Sequence, residues 1–344
     1  DALRFTLATS SAPGQDFSLQ PTRLEAARNF ANKLWNASRF VMMNLDGQTP
    51  QQLMTPHASS LTPHLELSDR WILSRFNQVI RQTSEAIEQY SLGEAAKGLY
   101  EFIWGDFCDW YIELVKSRLQ GGEATSRQAA QQMLAFVLEG ILKLFHPFMP
   151  HITEEIWHTL TQTGEEQSLA LQAYPEVDPN LIDTDLEQQF ELLIGTIRTI
   201  RNLRAEADVK PGVKVQVILQ SQSDRERQIL TSGETYIQEL AKVESLTITP
   251  ALETAIEPAI AGVVGTVQAL IPLAGVIDVA ALRAKLEKSL SKAEAEAKSL
   301  SGRLTNPNFV DKARPEIVQG AREALAEAEK QVEILRSRLR LLNS

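Results

Sequence analysis

The heptad pattern near the end of this 344-residue chain restricts its fold more than any other feature of the sequence. From Pro315 onward, apolar residues recur at alternating spacings of three and four, namely Val318, Ala321, Leu325, Ala328, Val332, Leu335, Leu339 and Leu342. The stretch 278–304 adopts the same spacing after Leu290. Such a repeat gives a helix one apolar seam, which needs a partner helix. Because Asn-Pro-Asn at 306–308 is typical of a turn, the two stretches are predicted to form an antiparallel coiled-coil hairpin.

Most of the first 209 residues show the period of amphipathic α-helices instead. The predicted helices are Asp1–Thr9, Thr22–Leu45, Glu66–Tyr90, Leu92–Leu119, Ser126–Leu144, His151–Gln162 and Asp183–Glu206. The segment 46–63 is rich in Pro, Gly and Ser and is predicted to be a surface loop. Helices joined by short connections are typical of an antiparallel helix bundle.

The composition changes near residue 210. Alternating apolar residues predict a strand in 213–219, helical spacing predicts a helix in 232–243, and one further strand each is predicted in 244–249 and 263–273. The fold class is therefore predicted to be mainly α, with a helix bundle, a small α/β module and a C-terminal coiled-coil hairpin. The predicted domains are 1–209 (1–20 being the remnant of a junction with another domain), 210–275 and 276–344.

Composition excludes several function classes. Hydrophobic residues make up 43% and charged residues 23%, as in soluble globular proteins, and no apolar run is long enough to span a membrane. A lone cysteine, Cys108, excludes internal disulfides and fits a cytoplasmic protein. No glycine-rich phosphate loop is present, and the five histidines do not form a metal-binding set. This segment is predicted to have no catalytic site, metal or cofactor of its own.

Charge is distributed unevenly along the chain. The net charge is −10, yet thirteen Lys/Arg oppose ten Asp/Glu from Val276 onward, a net of +3. Within Thr22–Leu45, four basic residues oppose one acidic residue, again a net of +3. The acidic total argues weakly against a general nucleic-acid binder, because whole-chain charge hides local patches. The two basic regions are either such patches or chance clustering.

The stretch "RNFANKLWNASRF", Arg28–Phe40, carries two stripes when it is placed on a helix. Phe30, Leu34, Ala37 and Val41 form an ordinary core face, whereas Asn29, Lys33, Asn36 and Phe40 form a polar and basic one. An aromatic ring among hydrogen-bond donors is suited to stacking on an unpaired base. The alternative is that Phe40 packs under a neighbouring helix, and periodicity alone leaves both open.

Two further basic sets are candidates for contact with phosphates. Arg198, Arg201 and Arg204 form a stripe that either contacts phosphates or pairs with acidic residues such as Glu191. At the tip of the predicted hairpin, Arg303, Lys312 and Arg314 cluster with Asn306 and Asn308. Basic side chains there suit contact with a phosphate backbone, or they simply solubilise the tip.

Several of these stretches together resemble the C-terminal half of the valyl-tRNA synthetases, which are class I aminoacyl-tRNA synthetases. The stretches that carry the resemblance are "DALRFTLA", "ARNFANKLWNASRF", "LSDRWILSRFN", "YEFIWGDFCDWYIELVK", "HPFMPHITEEIW", "RNLRAEADVKPG" and "LTNPNFVDKARPEIV". They occur in the family's order over essentially the whole chain. His151 departs from the pattern, because the family is expected to have an apolar residue there.

The resemblance implies a division of labour within a longer enzyme. A full-length relative would use ATP and Mg to activate valine, transfer it to tRNA(Val) and edit mischarged tRNA, with the catalytic and editing domains upstream. The chain begins within a helical pattern, and we expect it to be a fragment whose first twenty residues join the catalytic domain. Alone it would bind tRNA without catalysis, as a cytoplasmic monomer with no membrane contact.

The resemblance also assigns roles to residues. The helix Arg28–Phe40 corresponds to the family's anticodon-reading helix. Phe40 would stack on an anticodon base, with Asn29, Lys33, Asn36 and Arg39 as its polar companions. The hairpin corresponds to the arm that contacts the D- and T-loop corner of tRNA.

A second hypothesis from a different class is a non-catalytic helical and coiled-coil adaptor that binds proteins. The two hypotheses differ in the expected salt dependence. Neutralising several phosphates gives a steep log–log dependence of affinity on salt, which an interaction between proteins does not require.

Overall fold

The computed structural model describes residues 1–10, 18–53, 65–164, 166–252, 258–273, 279–305 and 315–343. The chain divides into two compact units, Asp1–Phe190 and Glu191–Ser344. The predicted domain boundaries after residues 209 and 275 stay predictions. Among the described helices, none combines the length and the apolar character that crossing a membrane requires.

The first unit is an all-helical bundle. Its helices are α1 (Ala2–Ser10), α2 (Pro21–Asn44), α3 (Pro50–Leu53), α4 (Leu67–Glu88), α5 (Leu92–Glu101), a π-helix (Phe102–Tyr111), α6 (Ile112–Gly121), α7 (Ala124–Phe145), α8 (Pro150–Thr161) and the start of α9 (Thr184–Glu206). Short 3₁₀ turns lie at Leu169–Leu171 and Pro179–Leu181. The bundle predicted for this part of the chain is confirmed.

Helix α7 lies at the centre of the bundle, where it packs against α2, α4, α6 and α8. It is apolar on nearly all sides, and Ala130, Leu134 and Leu138 are fully buried. Gly140 allows the close approach of α4, because a Cβ at this position would lie 2.2 Å from Cζ of Phe76. The central helix thus fixes the positions of the surrounding helices.

A buried ion pair joins the start of α4 to α6. Asp69, which is 0% exposed, accepts hydrogen bonds from Nη1 and Nη2 of Arg118 at 2.8 and 2.9 Å and from the hydroxyl of Tyr111 at 2.7 Å. Asp69 also closes a capping box with Glu66 at the start of α4. Burial by itself would lower the pKa of Arg118, but its hydrogen bonds with Asp69 and the charge of Asp69 raise it overall.

The structure corrects the prediction of one continuous α-helix over Leu92–Leu119. The residues Phe102–Tyr111 form a π-helix between α5 and α6. Phe102, Ile103, Phe107 and Tyr111 are all buried, so the wider turn still presents an apolar face to the bundle. π-Helical turns are rare and are frequent at functional sites.

Another correction concerns the predicted surface loop 46–63, in which Pro50–Leu53 form the short helix α3. Pro50 and Leu53 are buried, and α3 packs against α7. Residues 54–64 lie outside the described part of the chain. The loop prediction is therefore wrong for α3 and stays a prediction for the remainder.

The second unit contains the remainder of α9 and a four-stranded sheet. Its strands and short helices are β1 (Val215–Gln220), α10 (Asp224–Ser232), α11 (Glu234–Ala241), β2 (Val243–Thr249), β3 (Ala259–Val264) and β4 (Val267–Pro272). The strand order is β2-β1-β4-β3. β1 and β2 are parallel and are connected through α10 and α11, whereas β4 is antiparallel to both β1 and β3.

One prediction for this module is wrong, and one helix of it was not predicted. The segment 263–273 is not one strand, because Gly265 and Thr266 form a turn between β3 and β4. Gly265 has φ +56°, a left-handed conformation that glycine adopts without strain. The helix α10 was also missing from the predicted order, although Ser223 caps it by accepting from the amide of Glu226.

The coiled-coil hairpin is confirmed as part of the fold class. It consists of α12 (Val279–Leu304) and α13 (Pro315–Asn343), which pack along each other. Val318, Ala321, Ala328 and Leu335 of the predicted seam are buried. An ion pair of 2.7 Å joins Arg336 Nη2 to Glu294 Oε1 across the two helices.

Candidate nucleic-acid interface

Helix α2 has the two faces that its sequence predicts. Pro21 is its first residue, where a missing amide hydrogen costs nothing, and no glycine interrupts it before Asn44. Phe30, Leu34 and Val41 are 0% exposed, and Ala37 is 7% exposed. The core face is therefore confirmed, and the opposite face points away from the bundle.

The exposed face of α2 carries polar side chains that have no protein partner among the described residues. Asn29, Asn36 and Arg39 are exposed, and their side chains form no hydrogen bond or ion pair with the described part of the chain. Asn32 is exposed on the same face. Amide and guanidinium groups can donate to base edges and phosphates without first breaking an internal contact.

Lys33 differs from the other predicted polar companions of Phe40. Its Nζ lies 2.5 Å from Oδ1 of Asp109 and 3.7 Å from the ring centroid of Trp104. Both partners belong to the π-helix, and the side chain of Lys33 is only 23% exposed. Lys33 therefore joins α2 to the π-helix in this structure, and its ammonium group is already paired.

Phe40 lies at the edge between the two faces. It is half-buried and does not belong to the buried core. The Nζ of Lys116 in α6 lies 5.7 Å from its ring centroid and also pairs with Oε1 of Glu113 at 2.5 Å. The ring thus combines a packed side with an accessible one, and neither alternative from the sequence describes it fully.

Three side chains around this surface are not among the residues predicted from the sequence. Trp35 is 40% exposed and Met43 is 76% exposed, and both lie on the outward face of α2. Their spacing with Arg39, four residues on either side, is a signal that the sequence already contained. Lys116 could not be found in this way, because only the fold brings it near Phe40.

The arginine stripe in α9 is not a uniform surface. Arg204 is 6% exposed, and its guanidinium donates to the carbonyls of Lys242, Lys210 and Pro211 at 3.1 to 3.4 Å. Burial lowers the pKa of Arg204. Arg201 Nε donates to the carbonyl of Leu240 at 2.9 Å, whereas Arg198 is exposed. Arg204 and Arg201 thus fix the connection to the sheet, and this argues against Arg204 as a phosphate contact.

The hairpin tip can be compared with its prediction only in part. Arg303 is exposed near the end of α12. Lys312 and Arg314, together with Asn306 and Asn308, lie outside the described residues. The predicted basic cluster at the tip stays a prediction.

No metal site or reactive thiol is found in the described residues. They contain no group of three or more side chains placed to hold a metal ion. His158 instead lies 3.3 Å from Glu154, and His146 accepts from or donates to the Thr153 hydroxyl at 2.8 Å. Burial raises the pKa of the Cys108 thiol to about 12, so it stays protonated near neutral pH.

Comparisons with known proteins point to one family. Residues 69–219 match the model of the anticodon-binding domain of tRNA ligases, and residues 278–343 match the model of the valyl tRNA synthetase tRNA binding arm. The chain is 59% identical to a valine–tRNA ligase of Synechocystis over 99% of its own length and 38% of that protein. It is 52% identical to a valine–tRNA ligase of a Nostoc species over 99% of its length and 44% of that protein. A third relative, the valine–tRNA ligase of Thermosynechococcus vestitus, is 55% identical over 99% of this chain and 38% of its own. The chain thus spans about two fifths of the length of these relatives.

Proposed function

Because this chain belongs to the valine–tRNA ligase family, we propose that it is the tRNA-binding part of such an enzyme. The complete enzyme would use ATP with Mg to activate valine, transfer it to tRNA(Val) and hydrolyse mischarged tRNA. This part would recognise the anticodon and the corner of the tRNA and would carry no catalysis by itself. The observation that carries the proposal is the match of both an anticodon-binding domain and a tRNA-binding arm on one chain.

The exposed face of α2 is the proposed anticodon-reading surface. Asn29, Asn36 and Arg39 have donors there that bond to none of the described residues, so binding a base edge does not require one of the described hydrogen bonds to break. Trp35 adds an exposed ring one turn from Arg39 and is a second candidate for stacking. The surface therefore offers both donors and flat apolar area, which is the combination that unpaired bases need.

Phe40 is the proposed stacking residue for one anticodon base. It is half-buried, so part of the side chain stays accessible to a base. The Lys116 ammonium, 5.7 Å from the ring centroid, adds a positive charge beside the ring, and positive side chains favour contact with phosphates.

Lys33 is proposed to orient the other residues of the surface and not to contact tRNA directly. Its ammonium is paired with Asp109 and lies on Trp104, so direct contact with tRNA would first require this pair to separate. As paired, Lys33 fixes the register of α2 against the π-helix and thereby holds Asn29 and Asn36 outward. The proposed direct contacts are therefore the unpaired donors, with Lys33 in support.

The proposal also covers the tRNA-binding arm, the partners, the cellular compartment and the oligomeric state. Helices α12 and α13 would contact the tRNA corner through basic side chains, among which Arg303 is exposed. The partners would be tRNA(Val) and the catalytic and editing domains of the same enzyme. We place the enzyme in the cytoplasm as a monomer, in line with the lone cysteine.

The test is binding of tRNA(Val) to this chain across a salt series. The affinity should fall steeply and linearly on a log–log plot, as phosphate neutralisation requires. Replacing Phe40→Ala should cost about 1–3 kcal/mol of affinity if the ring stacks on a base. Leu171→Ala, at an 81% exposed position of the same unit, is the matched control and should leave affinity unchanged.

Three outcomes would contradict the proposal. Weak and salt-insensitive tRNA binding would favour the protein-binding adaptor. A Phe40→Ala variant that melts at lower temperature but keeps its affinity per folded molecule would assign Phe40 to packing. Valine-dependent ATP–pyrophosphate exchange by this chain, clearly above background, would refute the absence of catalysis.

A further inference from the structure

We propose that Arg75 of α4 is a positioning residue for the proposed anticodon-reading face of α2. It would act through the π-helix Phe102–Tyr111, which carries both partners of Lys33. This inference rests on the proposed function and deepens it, because it names a residue outside α2 on which the reading of the anticodon depends.

The π-helix brings the two partners of Lys33 onto one side. Trp104 and Asp109 are five residues apart, and the hydrogen bonds of a π-helix, from each residue to the fifth one along, place such residues one above the other. In an α-helix the same two residues would point about 140° apart. The wider turn therefore lets one ammonium group lie 3.7 Å from the ring centroid of Trp104 and 2.5 Å from Oδ1 of Asp109.

Lys33 lies within one turn of two residues of the proposed reading face. Asn29 precedes it by four residues and Asn36 follows it by three, so that the three residues share one side of α2. The ring centroid of Trp104 also lies 6.3 Å from that of Phe30, which belongs to the core face of α2. A shift of the π-helix would therefore change the rotation of α2 and the direction of its exposed amides.

Arg75 joins the π-helix to α4 and to the start of α9. Its Nε donates to Oδ2 of Asp106 at 2.9 Å, and its Nη1 donates to Oε2 of Glu187 in the first turn of α9 at 3.2 Å. Burial by itself would lower the pKa of Arg75, but these two carboxylates raise it overall. Asp106 lies between Trp104 and Asp109 in the sequence, so Arg75 holds the same turn of the π-helix that contacts Lys33.

Glu187 is held by a second residue of α4. The hydroxyl of Ser74, which is 0% exposed, donates to Oε1 of Glu187 and accepts from the amide of Asp183 at 2.8 Å. Both carboxylate oxygens of Glu187 are thus bonded, and the side chain is only 12% exposed. A planar guanidinium between two carboxylates fixes their positions more strictly than an ammonium group does. Arg75 therefore determines where Asp106, and with it the π-helix, lies against α4.

The experiment compares Arg75→Gln with the unchanged chain in binding of tRNA(Val) and of the same tRNA with one anticodon base changed. The ratio of the two affinities measures anticodon discrimination. Arg75→Gln should reduce this ratio by about 3- to 10-fold, because α2 is no longer held in one orientation. The matched control Arg70→Gln removes another arginine of α4, whose partner Asp183, at 3.2 Å, lies outside the π-helix. The control should keep the ratio.

Two further variants separate positioning from stability. In a chain that already carries Lys33→Met, adding Arg75→Gln should change the ratio little, since the contact that Arg75 supports is already lost. Asp106→Ala removes the link to the π-helix and leaves the pair of Arg75 with Glu187 in place. It should reduce the ratio as Arg75→Gln does, and it provides the same comparison if Arg75→Gln does not fold.

Several outcomes would contradict this role. If Arg75→Gln and Asp106→Ala lowered the melting temperature but kept the ratio, Arg75 would only stabilise the bundle. If the effects of Arg75→Gln and Lys33→Met on the logarithm of the ratio were additive, the route through the π-helix would be wrong. In both cases the proposed function would stand as long as Phe40→Ala weakens binding. If the unchanged chain bound both tRNAs equally, the proposed anticodon reading and this inference would fail together.

Discussion

The ion pairs of the first unit differ according to how deeply they are buried. Asp69 and Arg118 form a closed network in which the carboxylate is 0% exposed and every oxygen is hydrogen-bonded. Lys33 and Asp109 form a partly exposed pair at the edge of α2, with side chains 23% and 50% exposed. The first pair holds the bundle together, whereas the second borders a surface that can receive a ligand. The difference teaches that a short distance alone does not identify which pair is structural.

Removing the charge from the buried pair should have the largest effect. Arg118→Met leaves the Asp69 carboxylate buried without its partner, which should cost about 3–5 kcal/mol of stability. Urea unfolding followed by circular dichroism measures this loss. The paired variant Asp69→Leu/Arg118→Met should recover part of it, because no buried charge then remains, whereas the capping box and the acceptor of the Tyr111 hydroxyl are still lost. If Arg118→Met lowered the free energy of unfolding by less than about 1 kcal/mol, the buried pair would contribute no more to stability than an exposed one.

A smaller loss is expected at the edge of α2. Lys33→Met removes the ion pair with Asp109 and the contact of the ammonium with Trp104, but Asp109 stays half exposed and is solvated. The free energy of unfolding should fall by about 1 kcal/mol. The same urea titration applies, and it should be repeated at high salt, which should shrink the difference. A loss as large as that of Arg118→Met would mean that Lys33 is a core residue.

The smallest effect is expected at Lys116, which completes the series. Its pair with Glu113 is exposed on both sides, at 39% and 37%. Lys116→Met should therefore change stability by no more than about 0.5 kcal/mol. Thermal unfolding measures this value, with Lys33→Met as the reference. If Lys116→Met weakened tRNA binding while stability was unchanged, Lys116 would have a role in tRNA binding beside Phe40.

The fold was predictable where apolar spacing is unambiguous. The seam of the hairpin and the core stripe of α2 could be read directly, since each is a single regular period along the chain. The π-helix could not be predicted, because "FIWGDFCDWY" is so rich in apolar residues that a wider turn leaves no distinct period. The β3–β4 turn was missed for a similar reason, since apolar residues continue on both sides of Gly265.

The candidate site was predictable only where one helix carries it. Asn29, Asn36 and Arg39 share an exposed face that follows from position along α2. The pairing of Lys33 did not follow, because Asp109 lies 76 residues away and approaches only through packing of the π-helix. The burial of Arg204 did not follow either. Its partners are backbone carbonyls, which every residue has, so no residue type in the sequence indicates the contact.

The hairpin of α12 and α13 has a consequence for the order in which the chain folds. Only ten positions separate the end of α12 at Leu304 from the start of α13 at Pro315, so that bringing the two helices together costs little chain entropy. Contacts between residues close in sequence form quickly, whereas the pair of Asp69 and Arg118 must wait for a loop of 49 residues to close. The seam is also shallow, and most of its described residues in α12 are only half-buried. We therefore expect the hairpin to form early and to reopen locally while the bundle stays folded, which hydrogen exchange would show as lower protection in α12 and α13 than in α7.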